Sequence, residues 1–198
     1  MAATLILVRH AAHVHLDRVL SGRMPGVPLS EAGRAQAARL AGRLAGRGIS
    51  RVWTSPIARA RETADAIGAA VGAPVEVAEA LTEIDFGGWT GRGFDALRGD
   101  PDWDRWNAER ATARPPGGEG MAEAQARIVA FCDRVAGGHD GGTVALVSHA
   151  DMIRAAVMHV LRLSLDSYWR FDIDPASATE LLWGEGWARV RSMNERGG

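Results

Sequence analysis

Two apolar segments that end in histidine constrain this chain more than any other feature. Leu5-Ile6-Leu7-Val8 runs into Arg9-His10, and Val144-Ala145-Leu146-Val147 runs into Ser148-His149. Aliphatic runs of this length with β-branched members predict strands buried on both faces, as in a parallel sheet. In open α/β sheets the ligand crevice lies beyond the carboxyl ends of such strands. A guanidinium and two imidazoles at those ends are badly placed for a core and well placed for a site. They point to chemistry on an anion, phosphate foremost.

Between the two strands the pattern alternates. A Gly/Pro-punctuated loop, Ser21 to Pro28, leads to Ser30, which predicts an N-cap for an amphipathic helix running to about Arg47 and stopped by Gly48. Arg51 to Thr54 predicts a strand. Ser55-Pro56 reads as the N-cap and first position of a helix to about Val71. Val75 to Val77 predicts a third strand, Phe94 to Leu97 a short helix, and residues from Glu119 or Gly120 to about Val135 a long one. After His149 come a helix, Asp151 to Leu163, and an antiparallel hairpin, Ala178 to Trp183 and Trp187 to Met193. The expectation is an α/β fold in one domain, residues 1–198: a three-layer αβα sandwich with a mostly parallel central sheet and an antiparallel edge.

Composition narrows the function classes. Among 198 residues the net charge is −1, so neither nucleic acid nor an anionic membrane is an expected partner. All 23 basic residues are arginine, which removes lysine from any catalytic scheme. Cys132 is the only cysteine, so neither an intramolecular disulfide nor a cysteine-rich metal site is expected. The first ten residues lack a basic n-region, and no segment approaches the roughly 20 apolar residues of a membrane span. A cytoplasmic setting is expected. Oligomeric state is left open, a dimer being one option.

The strand-to-helix junctions collect the chemistry: Arg9 and His10 after the first strand, Ser55 and Arg59 after the second, His149 after the fourth. A phosphate monoester dianion calls for fork-shaped cationic donors, which arginine supplies. A neutral imidazole can attack phosphorus if its other ring nitrogen is held by a hydrogen bond. A second histidine can hold a phosphoryl oxygen, and a carboxylic acid of raised pKa can protonate the leaving alkoxide. Glu83 and Asp85 are the candidates for that acid. Taken singly, each residue has an ordinary reading: a structural histidine, a solvated Arg59, a Glu83 at a helix cap, tryptophans in the core. His10, His13 and His15 also alternate as a metal set would, but no His-Glu-x-x-His pattern accompanies them, and no metal is expected.

Taken in order, the motifs resemble the histidine phosphatase superfamily, the group that includes the cofactor-dependent phosphoglycerate mutases. Leu7-Val8-Arg9-His10 resembles its Arg-His-Gly signature. Gly22-Arg23 and Pro28 to Ala37 resemble its next segment, Thr54 to Ala64 its second motif, Leu81 to Gly91 its acid-bearing segment, and Val147-Ser148-His149 its last. The resemblance implies that His10 is the nucleophile, with Arg9, Arg59 and His149 forming the phosphate pocket and Arg23 binding substrate beside them. It implies that Glu83, a better match to the acidic position than Asp85, is the general acid and then the base. It also implies no metal and no dissociable cofactor.

The chain departs from the pattern at Ala11, where the family has glycine, at Ala12-His13, and at Leu16, where the mutases have asparagine. With the mutases' extra segments also missing, these departures favour a phosphomonoesterase acting on a small phosphorylated metabolite. The alternatives are a phosphoglycerate-type mutase and a catalytically weak phosphate-binding protein. Residues 101 to 118, irregular and rich in Trp and Pro, are expected to form a lid whose Trp103 and Trp106 line the leaving-group pocket.

Overall fold

The structure, a computed structural model, describes residues 2–139 and 141–196; Met1, Asp140, Gly197 and Gly198 of the expected 1–198 span lie outside it. Six strands form one sheet: β1 (Ala3–Arg9), β2 (Ile49–Thr54), β3 (Val75–Val77), β4 (Thr143–Ser148), β5 (Ala178–Gly184) and β6 (Trp187–Glu195). Their order is β3-β2-β4-β1-β5-β6. The pairs β1/β4, β2/β4 and β2/β3 are parallel, while β5 pairs antiparallel with both β1 and β6. The expected mostly parallel sheet with an antiparallel edge is what forms.

The helices are α1 (Glu31–Leu44), α2 (Ala58–Val71), α3 (Phe94–Leu97), α4 (Pro101–Ala108), α5 (Met121–Gly138) and α6 (Ala150–Leu161). Alternate residues of β1 enter different cores, which is why its sequence is continuously apolar. Ile6 and Val8 pack with Val147, Leu40 and Ile67 under α1 and α2. Leu5 and Leu7 pack with Leu146, Phe131 and Val157 under α5 and α6. The chain leaves adjacent β1 and β4 toward opposite faces, through α1 and α6, and that divergence opens a crevice at their carboxyl ends.

Two elements differ from expectation. Ser55 does not cap α2: helical backbone begins at Ala58 after an extended Ile57, because the Ser55 hydroxyl is engaged beneath His149. Residues 101–108 are helical, since Asp100 accepts from the N–H groups of Asp102 and Trp103 and Pro101 occupies the first turn. Ser30 does cap α1, accepting from Gly33 N–H at 3.0 Å, and also donates to the Ala12 carbonyl at 3.1 Å. Among the described residues no helix is long and apolar enough to cross a membrane.

Gly33 is where α1 meets the loop after β1: a Cβ there would stand 1.8 Å from the Ala12 carbonyl oxygen. Backbone cannot swing aside as a side chain can. Gly33→Ala is therefore expected to destabilise the fold by about 1–3 kcal/mol, lowering the melting temperature by several degrees, and to cut activity by displacing the residues that follow His10. A melting temperature equal to wild type would show that the helix slides freely on this loop.

Candidate active site

Register builds the site. Arg9 pairs with Ser148, so the next residues, His10 and His149, lie side by side with ring centroids 5.1 Å apart. His10 N–H donates to the Ser148 carbonyl, and Ser55 N–H to that of Val147, which brings the β2 junction to the same point. The His10 loop is then fastened from behind. Ala11 N–H donates to Thr63 Oγ1 at 3.1 Å and Ala12 N–H to Gln36 Oε1 at 3.0 Å. Thr63 and Gln36 sit in the second and first helical motifs, so those motifs anchor this loop.

His10 Nδ1 lies 2.8 Å from the Ala11 carbonyl, an acceptor only, which puts the proton on Nδ1. Nε2 is thus an unprotonated lone pair, and it accepts from Arg59 Nε at 3.1 Å. Arg59 is buried, with Nη2 donating to the Gly22 carbonyl at 2.8 Å and lying 3.3 Å from His149 Nδ1. Arg9 Nη1 donates to the Ile173 carbonyl at 2.7 Å. Arg9 Nε and Arg59 Nη1 are buried without a protein partner, a costly state for charged donors that marks a place for an anion. Burial first, then the charges of Arg59, neighbouring His149 and Arg9, holds His10 neutral, well below the usual imidazole value. Burial and the same two arginines do so for His149.

Glu83 closes the ring, its Oε2 3.9 Å from His149 Nδ1 and its Oε1 accepting from Ile84 N–H at 2.9 Å. Its pKa is pushed up to about 7, by burial first and then by the charge of Asp151, against the pull of Arg59, the Ile84 N–H and Arg9. A carboxyl poised near neutrality can give a proton and take one back. Its segment is clamped to the loop at 115–119: Gly88 N–H donates to the Pro116 carbonyl and Glu119 N–H to that of Asp85. Gly87, at φ +50°, has no room for a Cβ, which would fall 2.1 Å from the Pro116 oxygen.

Arg23 stands apart from the phosphate-pocket residues. Its Nε donates to the Glu83 carbonyl at 2.7 Å, its Nη2 to Glu119 at 2.8 Å, and Asp85 lies 3.6 Å from its Nη1. These contacts hold the acid segment in place. Trp106 is fully buried against Phe86 and Trp89, and Trp103 meets Trp89 edge-on. Trp106 belongs to the core beneath the acid segment, not to a leaving-group pocket, and the half-buried Trp103 packs against that core. The alternating His10, His13 and His15 do not form a three-ligand metal set; His13 Nδ1 is taken by the His15 backbone N–H. Among the described residues no group of three or more His, Cys, Asp or Glu side chains is arranged to hold a metal.

Two contributors take roles that the sequence analysis does not assign: Ser55, placed there at a functional junction but read as a helix cap, and Asp151. Ser55 Oγ lies 2.8 Å from His149 Nε2 and accepts from Ile57 N–H; a hydroxyl can donate or accept, so it supports either tautomer of His149. Its signal, a serine after a strand, also suits a helix cap. Asp151 is held ionised against burial by Arg110 at 2.9 Å and Arg154 at 3.2 Å, and Arg110 lies over Trp106 and Tyr168. An aspartate two residues after a strand-end histidine was its only sequence signal. Ser55→Ala is expected to lower kcat/KM and vanadate affinity about 10-fold, the cost of one lost hydrogen bond to a buried group. Kinetics identical to wild type would show that the hydroxyl does not orient His149.

The sheet order and the paired strand-end histidines, backed by the buried Arg59 and the half-buried Arg9, define an α/β protein built to handle a phosphoryl-like anion. The chain belongs to the histidine phosphatase superfamily (branch 1), whose model matches residues 5–196. It is 36% identical over 202 residues to the bifunctional protein Rv2228c of Mycobacterium tuberculosis, covering 98% of this chain but 54%, about half, of that longer protein. It is 33% identical over 178 residues to phosphoserine phosphatase 1 of Hydrogenobacter thermophilus, covering 87% of this chain and 83% of that one. Among solved structures, mycobacterial glucosyl-3-phosphoglycerate phosphatase Rv2419c superposes with a TM-score of 0.85 at 26% identity, covering 98% of this chain and 99% of that one.

Proposed function

We propose that this chain is a phosphomonoesterase for small phosphorylated metabolites that works through a phosphohistidine at His10. The observation that carries the reading is the unprotonated Nε2 of a neutral, buried His10, 3.1 Å from the buried Arg59 guanidinium and beside His149. In the first step Nε2 attacks phosphorus, the P–O ester bond breaks, and protonated Glu83 delivers its proton to the leaving alkoxide. Arg9, Arg59 and His149 hold the phosphoryl oxygens as charge redistributes. In the second step Glu83, now a carboxylate, takes a proton from water. The water oxygen bonds to phosphorus, the P–N bond breaks, and inorganic phosphate leaves.

Arg23 serves this scheme by holding the Glu83 backbone. The names of the phosphoserine and glucosyl-3-phosphoglycerate phosphatases support the small-metabolite class. A single domain over 1–198 and a cytoplasmic setting belong to the same reading; one sheet shared by both cores and a single buried cysteine support them. The test is release of inorganic phosphate from a panel of alkyl phosphates in excess chelator. Stoichiometric phosphate release supports the proposal. An isomerised phosphoester without phosphate release would indicate a mutase, and tight vanadate binding without turnover a binding protein.

A further inference from the structure

Beside His10 and His149 stands a third imidazole that the scheme above does not use. The His13 ring centroid lies 5.4 Å from that of His10, with the planes tilted by 55°. Its backbone is pinned by a bridge to Leu29, and its Nδ1 accepts the His15 N–H at 3.2 Å. An accepting Nδ1 leaves the proton on Nε2. No described residue bonds Nε2, and it is not among the sealed, unpartnered atoms. The ring therefore carries, beside His10, one N–H donor with no partner among the described residues.

Depth says what that donor faces. His149 is 0% exposed, Arg59 2% and His10 3%, whereas His13 is 9% exposed. The sealed groups form the floor, where the phosphoryl group sits in the reading above. His13 shares the 9% exposure of Glu83, the acid that meets the leaving oxygen in that reading, which sets it at the level of the alcohol half of the ester. Burial, then Arg59, Arg9 and His15, hold its pKa down to about 4, so at neutral pH it offers a neutral donor. Arg9, Arg59 and His149 already serve the phosphoryl oxygens. A neutral donor at that level suits an uncharged or weakly basic oxygen on the alcohol half of the substrate.

We propose that His13 is a specificity-determining residue that donates from Nε2 to an oxygen on the leaving alcohol, so that the site selects phosphate esters of polyols and hydroxy acids over simple alkyl phosphates. The proposal rests on the phosphatase reading and adds the substrate class to it.

The test compares glycerol 1-phosphate with n-propyl phosphate, which have the same carbon chain with and without hydroxyls. Wild type should prefer glycerol 1-phosphate in kcat/KM by about 10-fold, the value of one hydrogen bond to the bound alcohol. His13→Phe keeps a flat ring against His10 and removes the donor. It should erase that preference, mainly through KM, while leaving n-propyl phosphate turnover and inhibition by inorganic phosphate within about 3-fold of wild type. His13→Gln, which restores an N–H at similar reach, should recover part of the preference. Equal losses on both esters, or a preference that survives in His13→Phe, would overturn the inference while leaving the phosphatase reading intact. A wild type that hydrolyses no phosphomonoester would instead defeat the phosphatase reading itself.

Discussion

His10→Ala is expected to lower steady-state hydrolysis of para-nitrophenyl phosphate by at least about 10⁴-fold, the scale seen when a covalent nucleophile is removed. The adjacent imidazole is already committed. His149 is held between Arg59 and the Ser55 hydroxyl, and the chain contains no lysine. Quenched wild-type enzyme should carry one acid-labile phosphoryl group, and His10→Ala none. Both assays belong in excess chelator. Activity that persists in His10→Ala would move the nucleophile elsewhere. Wild-type activity that chelator abolishes would show that a metal takes part. Arg59 loses its Nε acceptor in the variant, so vanadate binding should be measured alongside, to separate lost chemistry from a collapsed pocket.

Glu83→Gln is expected to cost about 10²–10⁴-fold in turnover of alkyl phosphates, the usual worth of a positioned acid–base group. The loss should depend on the leaving group. Para-nitrophenolate departs without needing a full proton, so its first step should survive, giving a burst of one equivalent followed by slow turnover as the phosphohistidine waits for an activated water. In wild type, alkyl phosphate cleavage should fall as pH rises through about 7, where Glu83 gives up its proton. Stability should fall over the same pH range as activity. A carboxyl whose folded pKa lies above its unfolded value binds more protons when folded. Its contribution is therefore fully present below the unfolded pKa and is lost as pH rises through about 7. Glu83→Gln should accordingly melt higher than wild type at pH 8. A lower melting temperature there would mean that Glu83 supports the fold as an anion, and that its activity loss reports damage.

Much of this was legible before any coordinates. The apolar strands, the Ser30 cap and the terminal hairpin announce themselves locally, because periodicity and capping are properties of neighbours in the chain. Ser55 and Trp106 show the limit. Ser55 reads locally as a cap, and Trp106 either as core or, in its irregular loop, as a lid aromatic. Each is decided by a contact distant in sequence: Ser55 by His149, and Trp106 by the core around Phe86. The motif offers Arg23 for substrate binding beside the phosphate pocket, while the fold turns it onto the Glu83 carbonyl and Glu119.

By itself the sequence determined the α/β class, the family, and the residues His10, Arg9, Arg59, Glu83 and His149 as the ones worth assembling. It could do so because strand-end position and residue chemistry are both written along the chain. Only the tertiary structure decided that Arg9 pairs with Ser148, so that two histidines 139 residues apart in the chain stand 5.1 Å apart. It alone decided which imidazole nitrogen carries the proton, and that burial beside Asp151 tunes Glu83 toward neutrality. Register, tautomer and desolvation are set by what packs across the sheet, and no neighbour in the chain specifies them.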